Sequence, residues 1–280
     1  RGLLAVSVMI YHLLIFRYDV HLLAVGTYAV YAFFVLSGFA MTWVAFGPDG
    51  EPAVDVRRFA AARIARIVPL WWFATLATLA SELPRRPELA RVLENLTLLA
   101  AVTPTDAVPL GGWSIEIEVV FYLLFPALVV LLRTPRALAL TLVVCLALRW
   151  IYVDSVWPRG AVRPDVGAYQ QFPTFAAFFV GGMLLAHLRR RVTWSGWAPA
   201  ILGAVVLAAV FATGWWSLHR VLAGPVALAS ALASIAAVGL VSLAPNPRGR
   251  ATAWVCSTLG AVSYSTYLLH PLVYLVVNKV

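Results

Sequence analysis

Arg1 and His12 belong to the first apolar stretch of the chain, and a purely structural membrane helix calls for neither. At about 100° per residue, eleven steps make three turns plus roughly 20°, so both side chains lie on one helical face, ~16 Å apart along the axis. A neutral imidazole part-way into a membrane is a candidate base, since it can take a proton from a hydroxyl near neutral pH. A guanidinium presents a fixed fork of donors to phosphate oxygens. The competing use of His12 is structural, as a neutral side chain hydrogen-bonded to a neighbouring helix.

Two carboxylates stand close to the start of another apolar run, Glu116 and Glu118 in Trp113-Ser114-Ile115-Glu116-Ile117-Glu118. Gly111 and Gly112 permit a tight turn before it, and Ser114 is expected as the helix N-cap, with both carboxylates in the first turn or two. Two helical steps turn through about 200°, so the pair faces opposite ways and at most one points into the core. Spacing alone leaves open which of the two acts, and Tyr122 lies one turn beyond Glu118 on the same face. Arg63 and Arg66, three apart on a helix leading to Pro69, share a face and are expected to join Arg1 in one anion site. Ser37 and Gly38 read first as a small-residue contact between helices, with a smaller share for substrate binding. His270, followed by Pro271, falls in the outer half of the last apolar run and is expected to line the acceptor side.

The elements that carry these groups are membrane spans. A chain with 62% apolar and 12% charged residues, and a mean hydropathy of +0.88, cannot give a soluble domain a polar surface. The expected architecture is all-α, a polytopic transmembrane helix bundle of about nine to ten spans forming a single domain over residues 1–280. Apolar runs occur at 2–16, 26–46, 67–81, 114–132, 137–153, 169–188, 197–214, 221–243 and 252–277, with 89–103 a weak tenth candidate. The chain opens on Arg1 and stops inside an apolar run, so it is expected to be a fragment, with its first span a retained anchor. Placing the N-terminus inside puts eleven arginines in the inner loops, between Arg57 and Arg250, while seven in the outer loops are balanced by seven acidic residues. The formal net charge of +9 then reflects topology and the anionic inner leaflet, with no nucleic-acid partner. Arg149, near the outer end of its span, is expected to snorkel. Five histidines and two cysteines, Cys145 and Cys256, form no metal-ligand spacing, and neither a phosphate loop nor a Gly-x-Ser-x-Gly elbow occurs, so no metal and no disulfide are expected.

Five segments in order resemble the integral-membrane acyltransferase 3 family. They are Arg1 with ten residues to His12; Phe33-Phe34-Val35-Leu36-Ser37-Gly38-Phe39; the basic run from Arg57 through Arg63-Ile64-Ala65-Arg66 to Pro69; Trp113 to Glu118 with Phe121 to Pro126; and Ser263-Tyr264-Ser265 with Tyr267-Leu268-Leu269-His270-Pro271. The resemblance covers nearly the whole chain, and it implies transfer of an acyl group, often acetyl, from acyl-CoA to a hydroxyl of a sugar, polysaccharide or glycosylated metabolite. Glu116 departs from it, standing where a small or polar residue is common. On this reading His12 is the general base, Arg1, Arg63 and Arg66 hold coenzyme A with its pantetheine arm along the ~16 Å gap, and Glu118 positions the reacting groups. Glu116, Tyr122, Ser37 and His270 are expected to contact substrate, in an inner membrane with the Arg1 end cytoplasmic. The alternative is a proton-coupled transporter or exporter, in which His12, Glu118 and His270 would form a relay; such a protein should show broken helices or inverted repeats.

Overall fold

The computed structural model describes residues 1–47, 51–81, 88–98, 107–156, 170–192, 194, 196–212, 222–245 and 249–279. Ten helices and no strands occur among them: α1 (Gly2–Tyr18), α2 (Leu23–Ala45), α3 (Val56–Ser81), α4 (Leu89–Leu96), α5 (Trp113–Leu131), α6 (Pro135–Val156), α7 (Phe172–Arg189), α8 (Ala198–Phe211), α9 (Gly224–Val241) and α10 (Arg250–Lys279). Seven are long and apolar enough to cross a membrane, and α1 and α8 are shorter apolar helices. Together they match the nine apolar runs read from the sequence. The weak tenth run resolves into α4, whose eight residues are too few to span a bilayer.

Helices survive in this apolar chain because lipid offers the backbone no hydrogen-bonding partner, so each span must satisfy its own N–H and C=O groups. Association then depends on close packing. The tightest crossing joins α2 and α7, where a Cβ added at Gly38 would strike the backbone at Phe179, and one at Gly182 the backbone at Val35. Gly38 thus serves the helix contact expected of it, while its neighbour Ser37 is left to face the site. Phe34, Phe121, Phe175 and Phe179 interlock around this crossing and seat α5 against it. α1 packs along α10, which brings the first and last helices of the chain together.

Arg149 does not snorkel. Only 3% exposed, it donates to the Tyr31 hydroxyl (2.9 Å) and the Leu222 carbonyl (3.4 Å), with the Tyr31 and Phe178 rings beside its guanidinium. The aromatic cage and the carbonyl ahead of α9 give the cation partners inside the bundle, so it has no need to reach for the interface.

One polar clamp matters for the site. Asn95 at the end of α4 accepts the Val108 N–H at 2.6 Å, and its carbonyl accepts Trp71 Nε1 of α3, also at 2.6 Å. Trp72 of α3 donates to the next carbonyl, that of Leu96. α4 is thereby tied to α3, and the segment ahead of α5 is held where it enters the bundle.

Candidate active site

The segment held by Asn95 ends at Gly111 and Gly112, and α5 starts inside the bundle. Gly111 has a positive φ of 75°, which a residue with a side chain adopts at a cost. A Cβ there would lie 3.4 Å from the Tyr267 hydroxyl and 3.9 Å from His12 Cε1, so the glycine also keeps the space beside the imidazole open. Gly112, and not Ser114, precedes the first residue of α5. Ser114 instead turns inward, donating to the Gly111 carbonyl (3.0 Å) and lying 2.7 Å from the Tyr267 hydroxyl, which itself donates to Gly111 (3.1 Å).

Two cavities meet at this point. One, about 60 Å³, is lined by Arg1, Ser37, Arg66, Glu118, Tyr122 and Tyr264 among others. The second, about 220 Å³, holds His12, Tyr11, Thr27, Gly111, Trp113 and Gln170, with Tyr31 and Phe175 in its wall. Val30 and Tyr267 line both. The two spaces therefore have the Val30 isopropyl group and the Tyr267 phenol ring as common walls.

In the first cavity Arg1 donates to Ser37 Oγ at 3.1 Å, and Ser37 in turn donates to Glu118. Tyr122 directs its hydroxyl to the same carboxylate from one turn along α5. The cation and the anion are thus joined through a buried serine, and neither charge is left alone in the bundle. Arg66 completes the basic lining.

In the second cavity His12 Nδ1 lies 2.8 Å from His270 Nε2, with the two rings nearly coplanar and their centroids 4.9 Å apart. The Phe16 ring lies 5.9 Å from that of His12, nearly parallel to it. His270 is buried, and its Nδ1 lies 2.6 Å from the Tyr267 carbonyl. At 2.8 Å the two nitrogens leave no room for an intervening metal, whose bonds to imidazole run about 2.0 Å each; among the described residues no metal-holding cluster of three or more ligands occurs.

The structure places several of the expected residues differently. Glu118 lines the Arg1 cavity and not the one that holds His12: α5 begins at Trp113, beside the imidazole, and Glu118, five residues along it, lies ~7.5 Å deeper along the axis. His270 takes the place next to His12 instead, and it is not among the residues lining either cavity. Both carboxylates are turned into the protein, not one at most: Glu116 is 1% exposed, and its Oε1 has no hydrogen-bond partner. Glu116 lines neither cavity. Arg63 and Arg66 are divided by Tyr122. The Arg63 guanidinium sits 5.1 Å from that ring and 5.3 Å from Phe59, beside a separate apolar cavity of about 180 Å³. Of the expected residues, Arg1, Arg66, Ser37, Glu118 and Tyr122 share one space, and His12 stands in the other.

Sequence reasoning missed Gly111, Ser114 and Tyr267 as parts of the site. Gly111 carried a signal, since Gly-Gly ahead of a carboxylate-bearing helix marks close backbone approach. Ser114 and Tyr267 carried none beyond their positions in segments already singled out.

Comparison with known proteins places the chain in a family. The exopolysaccharide production protein ExoZ of Rhizobium meliloti (strain 1021) is 30% identical over 275 residues, covering 92% of this chain and 80% of that protein. The acyltransferase MdmB of Streptomyces mycarofaciens is 27% identical over 237 residues, or 80% of this chain and 55% of that protein. No solved structure matches the chain. Residues 1–280 match throughout the family described as an acyltransferase domain, Acyl_transf_3, and the protein belongs to that family of acyltransferases.

Proposed function

We propose that the protein is a membrane O-acyltransferase that takes an acyl group, acetyl in the simplest case, from acyl-CoA on the cytoplasmic side and transfers it to a hydroxyl of a carbohydrate or glycosylated acceptor. The observation that carries this reading is the pair of cavities sharing Val30 and Tyr267, one basic and one holding an imidazole. Arg1 and Arg66 offer phosphate oxygens two guanidinium groups. With Arg1 at the cytoplasmic end, as the arginine bias of the loops favours, the donor enters from that side and its thioester reaches the Tyr267 partition. The larger cavity suits the acceptor: Tyr11, Trp113, Tyr31 and Phe175 supply flat apolar faces, and Thr27 and Gln170 supply polar groups. The name of the relative ExoZ, an exopolysaccharide production protein, favours a carbohydrate over other alcohols.

At the partition His12 Nε2 accepts the proton of the acceptor hydroxyl as that oxygen bonds to the thioester carbonyl carbon. The carbonyl π electrons move to its oxygen, for which the Tyr267 and Ser114 hydroxyls at the partition are candidate donors once turned from the Gly111 carbonyl. Collapse of the tetrahedral species breaks the carbon–sulfur bond, and the departing thiolate receives the proton from His12. The products are the O-acyl ester and free coenzyme A, with no covalent enzyme intermediate.

The test uses the full-length protein in membranes, acetyl-CoA and oligosaccharides isolated from a strain that lacks the gene. Release of coenzyme A thiol should match the gain of acyl mass on the oligosaccharide, and His12→Ala should slow both by about 10³-fold. Thiol release without acceptor acylation would defeat the assignment of acceptor. Movement of unmodified solute across the membrane, with no change of mass, would replace transfer by transport.

A further inference from the structure

The hydrogen bonds behind His12 fix which of its nitrogens is free. Pro271 has no backbone N–H, so the carbonyl four residues earlier in α10, that of Tyr267, loses its helical donor. His270 Nδ1 fills the vacancy at 2.6 Å. A carbonyl only accepts, so Nδ1 of the neutral His270 carries the hydrogen, and its Nε2 carries the lone pair. That Nε2 is 2.8 Å from His12 Nδ1, which must then be the donor. Each step removes one choice, and the last leaves His12 with its lone pair on Nε2.

We infer that His270 is a positioning residue that holds His12 in the tautomer with Nε2 free for the acceptor hydroxyl. The inference rests on the reading of His12 as the base. His270 is 3% exposed and lines neither cavity, whereas His12 lines the larger one, so the pair has a buried member and a working member. Ring contacts fix the orientation as well: the His12 and His270 rings meet edge to edge, nearly coplanar, Phe16 lies 5.9 Å from His12, and Tyr274, which donates to the Met9 carbonyl at 2.5 Å, packs its edge against Phe16 and His270. The arrangement does the work of a carboxylate behind a catalytic histidine, but with a neutral partner. In a membrane interior that substitution has a physical reason, since a neutral acceptor avoids burying another charge. When His12 becomes an imidazolium, His270 Nε2 still accepts from it, and the Tyr267 carbonyl polarises the second ring.

The experiment compares His270→Leu, His270→Gln and His12→Ala in the full-length membrane protein, reading kcat and KM for donor and acceptor, with binding of free coenzyme A as the check on folding. His270→Leu should lower kcat by on the order of 10²-fold, with both KM values within about twofold and coenzyme A binding kept. His270→Gln, whose amide oxygen can accept from His12 Nδ1, should recover most of the loss. The double variant His12→Ala with His270→Leu should be no slower than His12→Ala alone. Nitrogen-15 spectra of histidine-labelled protein should show His12 protonated at Nδ1 in the wild type and in both tautomers in His270→Leu. A His270→Leu protein with wild-type kcat overturns the positioning role while leaving the base in place. A loss expressed in acceptor KM, unrelieved by glutamine, overturns it in favour of direct substrate contact. Wild-type activity in His12→Ala overturns the base reading itself.

Discussion

The two cavities solve the problem of polar groups in a membrane bundle in opposite ways. Around Arg1 the solution is charge: a guanidinium, a serine hydroxyl and a carboxylate in one hydrogen-bonded line, with Arg66 on the rim. Around His12 it is neutrality: two imidazoles and a backbone carbonyl that proline has released. The first arrangement suits binding of a polyanion, because its cations are held in place before the ligand arrives. The second suits proton transfer, because its base is oriented yet free to gain and lose a charge. Tyr267 belongs to both, through its hydroxyl at the partition and its carbonyl behind His270.

The comparison is broken most severely at His12. Replacing it with alanine should lower kcat by 10³-fold or so, within the range for a general base, while coenzyme A binding to membranes stays at the wild-type level; loss of both together would mean that the cavities do not work separately. Arg1→Lys tests the other side. A lysine cannot present the guanidinium fork, so KM for the donor should rise about tenfold with kcat changed far less, and a fall confined to kcat would assign Arg1 to the chemistry. Gly111→Ala strikes the partition, adding a methyl 3.4 Å from the Tyr267 hydroxyl at a φ of 75°. Its expected cost is about 1 kcal/mol in stability, read from thermal melts in detergent, and a severalfold lower kcat. The smallest effect separates two neighbours on α3. Arg66→Leu should raise donor KM severalfold, whereas Arg63→Leu should leave it within about twofold, because Arg63 stacks on Phe59 and Tyr122 outside the donor cavity. Equal shifts for the two would restore a single basic site.

Much of the fold was legible because hydropathy alone decides which segments span. The nine runs correspond to nine apolar helices, and the all-helical bundle follows from the need to satisfy backbone groups in lipid. The residues of the site were legible in type, since Arg1, His12, Ser37, Glu118 and His270 are polar groups in apolar surroundings. Their partnerships were not. Helical periodicity relates residues on one helix, as for Arg1 and His12, but says nothing of how far two helices are displaced along their axes. That displacement assigned Glu118 to Ser37 and His270 to His12. Periodicity also overstated the unity of Arg63 and Arg66, because a ring from another helix came between them.

The sequence by itself determined the class, the spans, the family resemblance and the chemical types available, all of which depend on residue identity and on spacing within one segment. It even contained the device behind His270, for a proline directly after a histidine frees the carbonyl that the histidine can reach. Only the tertiary structure decided that the basic and imidazole-bearing groups occupy two cavities with a common wall, and that a second histidine backs the first. Those outcomes depend on the depth at which α5 enters the bundle, set by Asn95 and Gly111, and on the pairing of α1 with α10 across nearly the full length of the chain. Contacts between residues so far apart in sequence are fixed by packing, and packing is a property of the whole bundle.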